Sequence, residues 1–181
     1  ETVLAVPAVR LYHDNVLAKQ TGCGRTPWHF DDHHFPLDTN DVVTAWIPAQ
    51  PIPLEMGPLS FAYPLDVHKL VNAVMFEKTG AGYDRKVSEI FLRNNVSVNE
   101  TPFELGEVSF HHNLNFHTAS SNRTNRSRVA LANTYYRDGA RVVHAPTMVS
   151  GDWQKFMPNV KPGDIAASPL NPICWPVKNK P

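Results

Sequence analysis

The sequence lacks the marks of several large protein classes. No apolar run approaches the roughly 20 residues that a membrane-spanning helix needs. Lys plus Arg number 17, as do Asp plus Glu, so the formal net charge is zero. That removes the basic footprint expected of a nucleic-acid binder or of a protein drawn to an anionic membrane. The two cysteines, Cys23 and Cys174, do not make a disulfide framework, which fits a reducing, intracellular (cytoplasmic) setting. The uncharged stretch from Thr2 to Val9 is short and has no basic flank, so it does not read as a signal peptide. Four glycosylation sequons point the other way: Asn95-Val-Ser, Asn99-Glu-Thr, Asn122-Arg-Thr and Asn125-Arg-Ser. Such matches also arise by chance in an Asn- and Ser-bearing chain. The chain begins with Glu1 rather than Met and is expected to continue upstream.

Long helices are also scarce, because sixteen prolines are scattered through the 181 residues and each removes a backbone donor. What remains is a series of short apolar segments. Val9 to Tyr12, Val42 to Ile47, Leu59 to Ala62, Val108 to Phe116 and Val129 to Tyr136 read as strands. Pro- and Gly-bearing joints separate them. Val87, Ile90 and Phe91 recur at helical spacing, which predicts one helix between Asp84 and Arg93. A helical turn is expected around Asp152 to Met157, and a Pro-rich tail from Gly163 that wraps the surface. No internal repeat or low-complexity segment is present. Many short strands with one or two short helices predict a mainly β single domain over residues 1–181, a β-sandwich or jelly roll.

The histidines fall into two groups, His29, His33 and His34 in one and His111, His112 and His117 in the other. The first contains His29-Phe30-Asp31. Residues two apart on a strand share a face, so an imidazole and a carboxylate at this spacing can take adjacent positions on one metal. A third ligand from the second group would complete two His and one carboxylate, the set of non-haem Fe(II) oxygenases. By itself the His-x-Asp pair carries little weight, since a surface ion pair explains it equally well. Were Phe110 to Phe116 one unbroken strand, His111, Asn113, Asn115 and His117 would share a polar face. Phe110, His112, Leu114 and Phe116 would then face the core. His111 and His117 would lie roughly 20 Å apart, so one metal could take only one of them. Arg128 opens the apolar run Val129 to Tyr136. An Arg there needs an anion, because an unpaired buried charge costs several kcal/mol. That anion is either a distant carboxylate such as Glu55 or Glu107, or a dicarboxylate ligand held by the guanidinium fork.

Five motifs in order resemble the phytanoyl-CoA dioxygenase family: Pro27-Trp-His-Phe-Asp31, Ala45-Trp-Ile47, Leu54-Glu-Met-Gly-Pro-Leu59, Gly106-Glu-Val-Ser-Phe-His-His112, and His117 with Asn122 and Arg128. The similarity runs from about Arg10 to Tyr136. The stretch from Asp152 to Pro172 is similar to the tail of a bacterial-type subgroup. The resemblance implies a double-stranded β-helix, a cupin-like jelly roll. It implies Fe(II) held by His29, Asp31 and His117, and 2-oxoglutarate held by Arg128, with O₂ as co-reactant. Trp46 falls where the family has an aromatic residue beside the cosubstrate. Lys19 and Gln20 fall where some members contact cosubstrate or substrate. Members often carry Gly-Ser after the distal histidine. Here the pair is Thr118-Ala119, so Thr118 or Ser120 takes over the serine's contact, or the contact is absent. Members also carry a longer N-terminal region. The separation of His117 from Arg128 matches the family, so iron is expected to be lost on replacing His117 and kept on replacing His111 or His112.

The activity so implied is oxidation of an organic substrate, by hydroxylation or otherwise, with release of succinate and CO₂. A halogenase would carry a small residue at Asp31. A zinc hydrolase could use the triad but has no need of Arg128. An inactive relative serving as a binding module would have lost ligands that this chain keeps. No basic cluster suited to a CoA ester lies near the motifs, so the expected partner is a small or moderately apolar molecule. Asp32, His33 and His34 read as turn or wall residues, Cys23 as a loop residue beside the site, and Trp28, Trp153 and Trp175 as packing residues. His13 and His144 carry no pattern.

Overall fold

The computed structural model describes residues 3–72, 74 and 81–176. Two antiparallel sheets face each other. One has the order β6-β3-β8-β1-β9, built from β1 (Val9–Lys19), β3 (Val42–Pro48), β6 (Ser109–His112), β8 (Arg128–Arg137) and β9 (Ile173–Trp175). The other has the order β2-β7-β4-β5, built from β2 (Thr26–His29), β4 (Leu59–Tyr63), β5 (Ser97–Glu100) and β7 (His117–Ala119). This is the double-stranded β-helix expected from the resemblance. From β1 to β4, and again from β5 to β8, successive strands alternate between the sheets, and the ends of β2, β6 and β7 reach one interior region.

Alternation along β8 shows how the sequence selects the sheet. Arg128, Ala130, Ala132, Thr134 and Tyr136 point inward, while Val129, Leu131, Asn133 and Tyr135 point outward. Facing residues of β3 follow the same rule: Trp46, Thr44 and Val42 lie opposite Ala132, Thr134 and Tyr136. The interior is thereby zoned. Trp46, Ile52, Met56, Leu59 and Phe103 pack one end. Tyr12, Phe35, Val42, Tyr136, Trp153 and Met157 pack the other. Between them the Thr44 and Thr134 hydroxyls meet at 3.0 Å. Each large side chain buried in these clusters contributes about 1.5–3 kcal/mol of transfer energy.

Two helices, α1 (Val67–Val71) and α2 (Ala81–Arg93), cover the outer face of the smaller sheet. Tyr83, Val87 and Phe91, four residues apart, pack α2 against Trp28, Ala62 and Phe116. Tyr83 also donates its hydroxyl to the Trp28 carbonyl at 2.9 Å. A 3₁₀ turn at Trp153–Lys155 meets the helical turn expected there.

Several expectations need correction. Residues 108–116 are not one strand, because the chain turns after His112, where the Asn115 N–H bonds the His112 carbonyl at 2.8 Å. Phe110 is therefore 52% exposed on the outer face rather than in the core. The tail does more than wrap the surface. Ala166 is buried in a core cluster, and the Asn171 amide donates to the Leu11 and Tyr12 carbonyls at 3.1 and 3.2 Å. Trp175, read as a packing residue, is 49% exposed. Asn122 is buried, which removes its sequon from the folded surface. Among the described residues no helix is long and apolar enough to cross a membrane.

Candidate functional site

His29 ends β2, and Asp31 opens a 3₁₀ turn, Asp31–His34. The pair therefore does not share a straight strand, as the spacing argument assumed. The turn still brings them together, with His29 Nε2 3.7 Å from Asp31 Oδ1. His117 opens β7 directly opposite His29. Its Nε2 lies 3.9 Å from the same oxygen, and the two imidazole centroids are 4.2 Å apart. One ligand atom from each of His29, Asp31 and His117 lies within 4.8 Å of the others, close enough to share a metal ion.

Each imidazole is already oriented. His29 donates Nδ1–H to the Pro27 carbonyl at 2.8 Å, and His117 donates Nδ1–H to the Asn115 carbonyl at 2.9 Å. This leaves Nε2 unprotonated in the neutral ring, the form that binds a metal. Burial, then His29, pushes His117 down to about 3, so it is neutral at ordinary pH. Burial alone would raise the Asp31 carboxyl, but His117, His111 and His29 hold it well below the usual carboxylate range. The cluster thus presents two imidazole Nε2 atoms and one carboxylate.

Sequence reasoning placed His111 far from His117. The turn after β6 instead brings their rings to 4.9 Å. His111 is buried, with Nε2 3.7 Å from Asp31 Oδ2. His112 lies off the cluster, and its ring nitrogen accepts the Leu114 N–H at 3.2 Å.

The cluster opens into a cavity of about 960 Å³. At one end lie Lys19 and Arg128, paired across β1 and β8 and each 5% exposed. Neither Glu55 nor Glu107 meets Arg128. Its NH1 donates to the Gly57 carbonyl at 2.6 Å, and its Nε has no partner among the described residues. Gly57 sits at φ 74°, and a Cβ there would fall 2.1 Å from the Ser120 carbonyl oxygen. Trp46 lies beneath, its ring centre 5.4 Å from the guanidinium carbon, and its buried Nε1–H also lacks a partner. Lys19 Nζ donates to Thr26 Oγ1 and the Ala119 carbonyl, both at 3.3 Å. Burial, then Arg128, pushes Lys19 down to about 8. Among the described residues neither buried cation pairs with a carboxylate, an arrangement that can accept an anion.

The expected stand-ins for the family's serine do not reach this end freely. Thr118 donates its hydroxyl to the Thr26 carbonyl, and Ser120 donates to Glu100 Oε1 at 2.8 Å outside the cavity. Ala119 faces inward instead. Gln20 is exposed and does not line the cavity, whereas Cys23, also exposed, does. His33 is an exposed residue whose ring lies tilted against Phe30, and His34 reaches the cavity wall.

At the other end the walls are aromatic: Tyr12, His13, Phe35 and Phe156, with the His13 and Phe156 rings 4.8 Å apart. His13 carries no motif in the sequence. A β-bulge between Leu11 and His13 shifts the register of β1, which turns both Tyr12 and His13 inward. Counting back by twos from Lys19 through Leu17 and Asn15 would have reached His13, had the strand been read to its full length.

Among solved structures the fold is shared with the non-heme alpha ketoglutarate dependent carbocyclase SnoK from nogalamycin biosynthesis. That match has TM-score 0.69 and 22% identity, over 92% of this chain and 62% of the other. The epimerase SnoN, in complex with Fe3+, alpha ketoglutarate and nogalamycin RO, matches with TM-score 0.69 and 22% identity, over 92% of this chain and 65% of the other. The non-heme monooxygenase ThoJ matches with TM-score 0.56 and 18% identity, over 78% of this chain and 50% of the other. The chain thus spans less than two thirds of the length of these structures. No curated protein matches it in sequence. Residues 2–130 match the phytanoyl-CoA dioxygenase (PhyH) family, and with that match over most of its length the chain belongs to this family.

Proposed function

We propose that the chain is a single Fe(II)- and 2-oxoglutarate-dependent oxygenase domain that oxidises a small or moderately apolar organic substrate. The observation that carries this is the meeting, in one cavity, of the His29–Asp31–His117 cluster and the unpaired Arg128. A zinc hydrolase accounts for the first but leaves a buried guanidinium without an anion, at a cost of several kcal/mol.

The residues fit the groups. Two imidazoles and a carboxylate suit a divalent first-row metal and leave positions open to other ligands. Arg128 Nε, without a partner, suits the distal carboxylate of a dicarboxylic acid, and Lys19 adds a second charge at the same end. Bound iron with 2-oxoglutarate and O₂ would supply the oxidising equivalent, with succinate and CO₂ as by-products. The chain's own part is positional. His29, Asp31 and His117 would fix the metal. Arg128 and Lys19 would fix the cosubstrate, and Trp46 would close the floor beneath it. Tyr12, His13, Phe35 and Phe156 would seat the substrate and keep water from the reacting carbon. SnoK, SnoN and ThoJ are a carbocyclase, an epimerase and a monooxygenase by description, so one scaffold serves several outcomes. Hydroxylation is the outcome proposed here.

The test is binding followed by turnover. Anaerobic addition of 2-oxoglutarate to Fe(II)-loaded protein should produce a visible charge-transfer band. Admission of O₂ with candidate substrates should yield succinate in step with oxidised product. Full activity in zinc-loaded, iron-free protein would favour hydrolysis and overturn the reading.

A further inference from the structure

His111 has no part in the triad, yet it is buried at the triad's edge. The two oxygens of Asp31 face different neighbours. Oδ1 faces His29 and His117, at 3.7 and 3.9 Å, while Oδ2 faces His111 Nε2 at 3.7 Å. Among the described residues no side chain donates a hydrogen bond to either oxygen at normal hydrogen-bond length, and His111 is the imidazole that faces Oδ2. The other nitrogen of His111, Nδ1, is buried and has no partner among the described residues.

The backbone holds this relation in register. Asp31 N–H and Asp32 N–H both donate to the Asn113 carbonyl, at 2.8 and 3.1 Å. The Asn113 side-chain amide donates to Asp32 Oδ1 at 2.8 Å. The turn that follows His111 on β6 is therefore fastened to the turn that carries Asp31. Phe61 flanks both the His111 and His117 rings, with centroids 5.5 and 6.1 Å away, and limits their rotation.

We propose that His111 is a positioning residue for the metal centre, donating Nε2–H to Asp31 Oδ2 so that Asp31 offers the metal one oxygen rather than two. This rests on the metal centre proposed above. A carboxylate free to turn can bind through both oxygens, and the second oxygen then occupies a position that cosubstrate or O₂ needs. A donor on the outer oxygen holds the carboxylate in its one-oxygen mode. Partners of this kind change metal affinity about 10–100-fold when removed. The inference revises the sequence-based expectation that replacing His111 leaves metal binding untouched.

The experiment uses Co(II) as the probe, because its visible absorption reports both occupancy and coordination number without turnover. Wild type, His111→Leu and His111→Gln are titrated, and circular dichroism of the metal-free proteins checks folding. The expected result is about 10–100-fold weaker Co(II) binding in His111→Leu, with weaker bands of higher coordination number. His111→Gln, whose amide can donate to the same oxygen, should recover most of the affinity and the wild-type band intensity. Equal affinity and spectrum in wild type and His111→Leu would overturn the proposal alone. So would equal losses in both variants, or loss of a nitrogen ligand in His111→Leu, which would make His111 a ligand itself. Failure of wild type to bind Co(II) would overturn the metal centre as well.

Discussion

The two ends of the cavity are built differently. Lys19 and Arg128 project from the paired strands β1 and β8, and both are almost fully buried. The aromatic end takes Tyr12 and His13 from a bulge, and Phe156 from the residue that follows a 3₁₀ turn. Its rim includes Val149, Ser150 and Gly151, and the carbonyl of Val149 touches His34 Nδ1 at 3.3 Å. Strands hold what must be invariant, and loops hold what can change. Under the function proposed above, a common cosubstrate would sit at the strand end, and the variable substrate at the loop end.

The largest effect is expected midway between the two ends. Asp31→Ala removes the carboxylate of the proposed centre, and succinate formation should fall to background. Near wild-type succinate release would sink the triad. Next comes Arg128→Ala, which should raise the apparent KM for 2-oxoglutarate at least about tenfold, since a bond to a charged group is worth about 1.5–3 kcal/mol. Metal binding should be unaffected. An unchanged KM in a folded variant would show that the anion lies elsewhere.

Lys19 should have a smaller effect, and one that depends on pH. Burial and Arg128 leave it titrating near 8 in the free protein, and an anion favours its protonated form. Affinity for 2-oxoglutarate should then be fully present below about pH 8. It should fall as pH rises through that value toward the higher pKa of the bound form. Lys19→Met should flatten this slope, and an identical pH profile in wild type and variant would remove Lys19 from the site. The smallest effect on the cosubstrate is expected at the far end. Lys19 and His13 are six residues apart on β1, roughly 20 Å. Phe156→Ala, against His13, should leave 2-oxoglutarate affinity within about twofold, because separated sites act independently. Product formed per succinate should drop. A large change in cosubstrate affinity would mean that the two ends are not separate.

The sequence disclosed the strong strands because alternation or apolar continuity marks them, as in Val42 to Ile47 and Val129 to Tyr136. It concealed β5, where Ser97–Glu100 is exposed throughout and has no buried face to betray it. It also concealed β2, only four residues long. His29, Asp31, His117 and Arg128 could be named in advance because their order resembles a family, not because spacing fixed their geometry. The position of His111 was misjudged for a physical reason. Period-two logic runs on through Phe110 to Phe116, whereas Asn113 and Asn115 favour a turn, and a turn there joins the two sheets. The inward aim of Tyr12 beside His13 depends on a bulge, which leaves no periodic signal.

Gly57 carries a consequence for sequence change. Its carbonyl seats Arg128, and its α-carbon lies against the Ser120 carbonyl. Any side chain there would drive two backbone segments apart and tilt the oxygen that aims the guanidinium. Its positive φ disfavours other residues as well. In a saturation library selected for 2-oxoglutarate binding, position 57 should accept almost nothing but glycine, while exposed Lys155 at the opposite rim tolerates wide replacement. A residue with no functional group would thus set the mutational ceiling of the anion receptor.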